Sequence, residues 1–150
     1  MAEKVRDIMT ADPVCCVTTD SVQRAAQLMR DEDIGSVPVV SDHPRKGLVG
    51  IVTDRDLALN VVADARDTNM TKVIDVMTAQ VVTCHPDDDG NDVMNLMAQH
   101  QIRRVPVVDE NNQVVGIVAQ ADVAVRMDAP SKTGEVVERI SEPNAVQTMR

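Results

Sequence analysis

Apolar and polar positions alternate along this chain in a fixed order of patterns. A short helical turn carries Ile8 and Met9, and the apolar run from Val14 to Val17 predicts a strand. Thr18, Thr19, Asp20 and Ser21 then open a helix, because polar and acidic residues cap free N–H groups and meet the positive end of the helix dipole. Val22, Ala26 and Met29 follow at i, i+4 and i+7, which predicts one buried helical face. The β-branched stretch Val37 to Val40 predicts a second strand, Leu48 to Val52 a third, and Asp54 to about Ala65 a last helix.

The same order then returns. Val5-Arg6-Asp7-Ile8-Met9-Thr10-Ala11 reappears 68 positions on as Val73-Ile74-Asp75-Val76-Met77-Thr78-Ala79. Ile34 to Val40 reappears as Ile102 to Val108, and residues 5–40 share 15 identities in 36 positions with residues 73–108. Chance alone would give about two or three, so the chain contains an internal duplication. Gly50-Ile51-Val52 matches Gly116-Ile117-Val118 at a spacing of 66, because the first repeat is two residues longer around Ser41 to Lys46. In the second repeat Val81 to Cys84 is the first strand, and Pro86 with Asp87 to Asp89 opens the helix. Val93, Leu96, Met97 and His100 give that helix its buried face, and Asp109 to Asn112 is a turn. Val105 to Val108 and Val114 to Val118 are strands, and Ala121 to about Met127 is the last helix.

The fold class is therefore α/β: two pseudo-symmetric strand–helix–strand–strand–helix repeats, residues 1–68 and 69–128, packed through their sheets. Neither half is large enough to bury a comfortable core alone. Residues 129–150 leave the repeat as a C-terminal extension, with a short helix expected over Glu135 to Ile140.

Composition narrows the function. The 150 residues include no Trp, Tyr or Phe, so the aromatic platforms of most single-strand nucleic-acid binders are missing and the core must be aliphatic. Fifteen Lys and Arg against 24 Asp and Glu leave a net charge of −9, which repels phosphate backbones and anionic lipid. No run approaches a spanning helix, and the N-terminus lacks a signal pattern. Three cysteines, two of them adjacent, make no disulfide framework, so a reducing cytoplasm is expected, without nucleic-acid or membrane partners.

Two places could carry chemistry. Thr53-Asp54-Arg55-Asp56 opens a helix straight after a strand and reads as a capping box, with Asp56 reaching back to Thr53. A carboxylate there could also accept the hydroxyls of a ribose, as acidic residues do in dinucleotide sites. Ile102-Arg103-Arg104-Val105 reads as a solvated basic pair or as a phosphate fork. The equivalent positions in the first repeat are Gly35 and Ser36, so the fold itself does not need arginine. Cys15 and Cys16 point to opposite faces of a strand and cannot easily share a metal, and Cys84 beside His85 is no better placed for catalysis. The six glycines form neither a Rossmann nor a P-loop motif. No nucleophile, base and metal come together, so no enzyme is expected.

The repeat unit resembles the CBS domain, the module named after cystathionine beta-synthase. The resemblance rests on Asp7-Ile8-Met9-Thr10, Val37-Pro38-Val39-Val40 and Gly50-Ile51-Val52-Thr53-Asp54-Arg55-Asp56-Leu57. Their copies are Asp75-Val76-Met77-Thr78, Val105-Pro106-Val107-Val108-Asp109 and Gly116-Ile117-Val118-Ala119-Gln120-Ala121-Asp122-Val123. It covers about residues 5–127, which would form one Bateman module. It implies a non-catalytic sensor with AMP, ADP or ATP in a cleft between the repeats, and NAD or S-adenosylmethionine as lesser alternatives. Thr53 and Asp56 would hold the ribose, Arg103 and Arg104 the phosphates, and the backbone near Val82, Thr83 and Cys84 the adenine edge. A second, weaker site would use Asp122, Gly35, Ser36, Val14, Cys15 and Cys16, with Ala119 in place of the threonine. No cofactor or metal is expected beyond the regulatory ligand. The family also implies a homodimer, with Leu57, Leu59, Val61, Val123 and Val125 on the final helices as candidate contacts, and an unnamed regulated protein. The rival reading is a ligand-free oligomerising scaffold.

Overall fold

The computed structural model describes residues 3–126, so the extension 129–150 and its expected helix lie outside the described residues. In chain order the elements are α1 (Val5–Ile8), β1 (Thr10–Ala11), β2 (Cys16–Val17), α2 (Val22–Glu32), β3 (Ser36–Val40), β4 (Leu48–Thr53) and α3 (Asp54–Leu57). A π-helical turn over Ala58–Val62 prolongs α3, and a 3-10 turn covers Val73–Asp75. Then come α4 (Gly90–His100), β5 (Arg104–Val108), β6 (Val114–Ala119) and α5 (Gln120–Arg126). The fold is α/β, as the hydrophobic pattern requires.

The described residues form two compact units. The first comprises residues 14–81 and 111–114, the second residues 3–13, 82–110 and 115–126. The first unit holds the sheet β2-β3-β4, with β2 parallel and β4 antiparallel to β3, and a bulge between Val39 and Val40. The second holds the sheet β1-β6-β5, with β1 antiparallel to β6. The first core packs Val22, Ala25 and Met29 of α2 against Val37, Val39 and Val52, with Val61, Val73 and Val76. The second packs Val93, Met94, Met97 and Ala98 of α4 against Val105, Val107 and Val118, with Val5, Ile8 and Val123. Each fully buried valine of these aromatic-free cores contributes roughly 1.5 kcal/mol or more.

Local chemistry sets the helix limits. Ser21 caps α2 by accepting from the Arg24 N–H at 3.1 Å, and Asp89 caps α4 by accepting from the Asn91 N–H at 2.8 Å. Both helices end on a left-handed residue, Asp33 and Gln101, whose N–H returns to the carbonyl of Met29 or Met97.

The structure corrects four expectations. On α2 the buried alanine is Ala25, and Ala26 is exposed: the face runs i, i+3, i+7. On α4 the face includes Met94 and Ala98, while His100, on the last turn beyond the core, is exposed. The expected first strands shrink to Cys16–Val17 and to a single bridge from Cys84 to Val107. Pairing starts only past Pro38 or Pro106, which have no N–H to give. Among the five residues proposed for a dimer, Val61 and Val123 are 2% exposed and belong to their own cores, and Leu57 is half-buried; Leu59 and Val125 stay exposed.

Each Met–Thr stretch is tied to a glycine. In the second unit Thr10 pairs with Ile117 and Ala11 with Gly116; in the first, Ile51 bridges Thr78. A Cβ on Gly50 would lie 2.5 Å from the Met77 sulfur and 2.9 Å from the Thr78 carbonyl oxygen. A Cβ on Gly116 would meet the Met9 side chain and come within 3.1 Å of the Thr10 carbonyl oxygen. The thioether can turn aside, but the carbonyl cannot move without breaking the bridge. Gly50→Ala is therefore expected to destabilise the protein by roughly 1–3 kcal/mol in urea unfolding. The added substitution Met77→Ala should not restore full stability, because the carbonyl clash remains.

Candidate functional site

Strand β4 runs directly into α3, and the turn between them is fixed by a reciprocal pair of hydrogen bonds. The Asp56 N–H donates to Thr53 Oγ1 at 3.0 Å, and the Thr53 N–H donates to Asp56 Oδ2 at 2.9 Å. This is the capping box that the sequence spells. Both residues are half-buried. Asp56 Oδ1 has no hydrogen-bond partner among the described residues. The Asp54 N–H donates to the Gly35 carbonyl at 2.9 Å, which ties the start of α3 to the start of β3. Ser36 stands opposite Thr53 in the β3–β4 ladder.

The second unit repeats this junction with different side chains. The Gln120 N–H donates to the Arg103 carbonyl at 2.8 Å, and the Ala119 N–H donates to Asp122 Oδ2 at 3.3 Å. Ala119 has no hydroxyl, so only half of the box survives and the surviving bond is longer. Arg103 is exposed and Arg104 half-buried, and neither forms an ion pair among the described residues. Two guanidinium groups that stay unpaired in so acidic a chain are available to an anion.

Each expected set of residues is thus divided between the units. Thr53 and Asp56 belong to the first, while Arg103, Arg104, Val82, Thr83 and Cys84 belong to the second. Of the weaker set, Asp122 belongs to the second unit, and Ser36, Val14, Cys15 and Cys16 to the first. Val82 and Thr83 are half-buried and lie outside any strand. Cys84 differs: its N–H donates to the Pro106 carbonyl, its carbonyl accepts from the Val108 N–H, and its side chain lies in the core. Its N–H is therefore spent, while its carbonyl keeps a second lone pair. Cys16 is likewise a core residue, on the strand paired with β3.

Sequence reasoning missed a hollow of about 280 Å³ beside α3, lined by Asp54, Arg55, Ala58 and Leu59. It opens where the α-helix widens into the π-helical turn. No residue pattern announces such a turn, although π turns are frequent at functional sites.

The three cysteines are free and buried. Burial pushes the Cys16 thiol up to about 12, with Asp20 adding to the effect and Arg24 opposing it. Burial also pushes Cys84 up to about 12, with a contribution from Asp88. Among the described residues no group of three or more His, Cys, Asp or Glu side chains is placed to hold a metal, and no helix is long and apolar enough to cross a membrane.

The chain is similar to known proteins over most of its length. The family model for the CBS domain matches residues 5–63 and again residues 73–128. The CBS domain-containing protein YhcV of Bacillus subtilis is 41% identical over 140 residues, which cover 93% of this chain and 96% of that protein. A crystal structure of Hypoxic Response Protein I with two coordinated zinc ions superposes with a TM-score of 0.75 at 34% identity, covering 83% of this chain and 98% of that one. The CBS domain pair of protein MJ0100, in complex with 5'-methylthioadenosine and S-adenosyl-L-methionine, superposes with a TM-score of 0.74 at 32% identity, covering 87% and 99%.

The raised thiols make stability depend on pH in a definite direction. The unfolded chain ionises its thiols near their ordinary value, while the folded chain keeps Cys16 and Cys84 neutral until about pH 12. Their stabilising contribution is whole below the unfolded value and is lost as pH rises through the folded one. Denaturant titrations should therefore show stability falling by roughly 1.5–2 kcal/mol per thiol by pH 10. A Cys16→Ala, Cys84→Ala double variant should lose less between pH 8 and 10.

Proposed function

The chain belongs to the CBS-domain family and carries the domain twice, and from that premise we propose that it is a sensor for an adenosine nucleotide, AMP, ADP or ATP. It performs no chemistry on the ligand and passes the binding event to a partner protein in the cytoplasm. Thr53 and Asp56 take the ribose, Arg103 and Arg104 the phosphates, and the backbone near Val82, Thr83 and Cys84 the adenine edge. Asp122, with Ser36, Val14, Cys15 and Cys16, gives at most a weaker second site.

The observation that carries the reading is Asp56. One of its oxygens closes the capping box, and the other stands without a partner in a half-buried position. A carboxylate so held is rigid and accepts a sugar hydroxyl with little loss of side-chain freedom. The MJ0100 pair supports the adenosine half of the reading, since both of its ligands are adenosine compounds. The unpaired Arg103 and Arg104 support the phosphate half.

Calorimetry on the intact chain tests both halves. The wild type should fill one AMP site per chain first, because the weaker set has Ala119 for Thr53 and Gly35 and Ser36 for the arginines. Asp56→Ala should abolish binding of AMP and adenosine alike while costing only about 0.5–2 kcal/mol of stability, the usual loss of a cap. Arg103→Ala with Arg104→Ala should weaken AMP and ATP by about ten- to a hundredfold, at 1.4 kcal/mol per decade, and adenosine far less. Equal losses for AMP and adenosine in that double variant would remove the phosphate assignment.

The same reading includes a homodimer. Leu59 is 48% exposed, Val62 73% and Val125 80%, and apolar side chains left in water on the final helices suit an interface between copies. Light scattering at micromolar concentration should give twice the chain mass, and a monomer there would overturn the dimer.

A further inference from the structure

We propose that residues 135–140 of one copy seat in the hollow beside α3 of a second copy, an assignment that rests on the homodimer reading above. The interface of that reading is short of surface. Among the described residues Leu59, Val62 and Val125 are the exposed large apolar side chains on the final helices, and each offers about 100 Å² at most. A stable pair of proteins buries about 800 Å² on each partner. The hollow of about 280 Å³, lined by Asp54, Arg55, Ala58 and Leu59, adjoins that surface through Leu59. An occupant of the hollow would therefore enlarge the same interface.

The chain itself supplies such an occupant. Val136, Val137 and Ile140 follow at i, i+1 and i+4, so a helix over 135–140 would hold all three within about 100° of one another. Glu135, Glu138 and Arg139 would fall outside that arc. A cavity of about 150 Å³ holds a benzene molecule, so the hollow has room for two branched aliphatic side chains. Arg55 is half-buried beside it and forms no ion pair among the described residues, which suits the two glutamates of the segment. The chain leaves α5 one residue after Val125, so the extension starts at the interface. Residues 127–134 then span roughly 26 Å when extended, more than two helix diameters. Seated on its own chain, the segment would cover Leu59 and take surface from the interface; seated on the second copy, it adds surface. The extension is also shared: the family model stops at residue 128, but the match with YhcV takes in 140 of the 150 residues and so runs to Ile140 at least.

The test is light scattering over a dilution series of the full chain, with circular dichroism to confirm that each protein is folded. One variant carries Val136→Asp with Ile140→Asp; the other carries Ala58→Asp, which puts a carboxylate into the hollow at an exposed position outside both cores. Each should raise the dimer Kd at least a hundredfold, because each dimer loses two apolar seats. The two variants are then mixed. A mixed pair brings the intact segment of one chain to the intact hollow of the other, so dimer should return in part. No recovery overturns the exchange, since a segment seated on its own chain leaves neither variant with an intact pair. A Kd unmoved in either variant overturns the seat and leaves the homodimer reading in place. A wild type that stays monomeric overturns the homodimer reading, and this assignment with it.

Discussion

Two glycines with no side chain let a Met–Thr stretch lie flat against a closing strand, and most of the fold depends on those two contacts. At Gly50 the stretch is Met77-Thr78; at Gly116 it is Met9-Thr10. In both cases the glycine belongs to one sequence repeat and the methionine to the other. The helical turn just before each methionine goes with it, so Val5 and Ile8 enter the core built on α4, and Val73 and Val76 the core built on α2. Neither contiguous repeat therefore owns a complete core. A unit of about 60 residues buries too little surface to be comfortable by itself, and exchanging the apolar turns adds four buried side chains to the two cores.

With the backbone fixed in this way, the side chains at the two strand-to-helix junctions are free to diverge. The tying bonds are nearly the same length: 2.9 Å from the Asp54 N–H to the Gly35 carbonyl and 2.8 Å from the Gln120 N–H to the Arg103 carbonyl. Because main-chain atoms make these bonds, the residues at 35 and 103 can be glycine or arginine without altering the turn. The cap does register the change. With threonine it closes in both directions; with Ala119 only the Asp122 bond remains, at 3.3 Å. The acid is kept in both repeats, while the hydroxyl and the cations are each kept in only one.

Much of this could be read from the sequence, and the parts that could not share one cause. Ser21, Asp89 and the Thr53–Asp56 box were legible because a cap depends on residues three apart in the chain. The duplication was legible because its identities lie at a constant spacing. Which alanine of α2 is buried was not, since Ala25 and Ala26 differ only by 100° around the helix and the neighbouring elements decide between them. The shortened first strands needed the partner: Pro38 and Pro106 show their effect only once Cys16 and Cys84 are known to lie alongside. The same holds for the candidate site. Thr53, Asp56 and the two arginines announce themselves by type, whereas Ser36 looks like any small residue before a strand. That it stands opposite Thr53, 17 residues on, follows from a strand register that no linear pattern carries.

Charge bears on which adenosine compound such a junction would favour. A net charge of −9 surrounds any ligand with a repulsive field, and a nucleotide phosphate brings about two more negative charges. At physiological salt that field fades over about 8 Å, so it acts mainly on approach, while contacts within the site are decided by near neighbours. Arg103 and Arg104 form no ion pair among the described residues, so a phosphate held by them would not have to displace a carboxylate. A zwitterionic or neutral adenosine compound avoids the repulsion but gains nothing from the guanidinium groups. In the proposed site the balance between a long-range penalty and a short-range gain would rest on two residues that the fold itself does not need, Arg103 and Arg104.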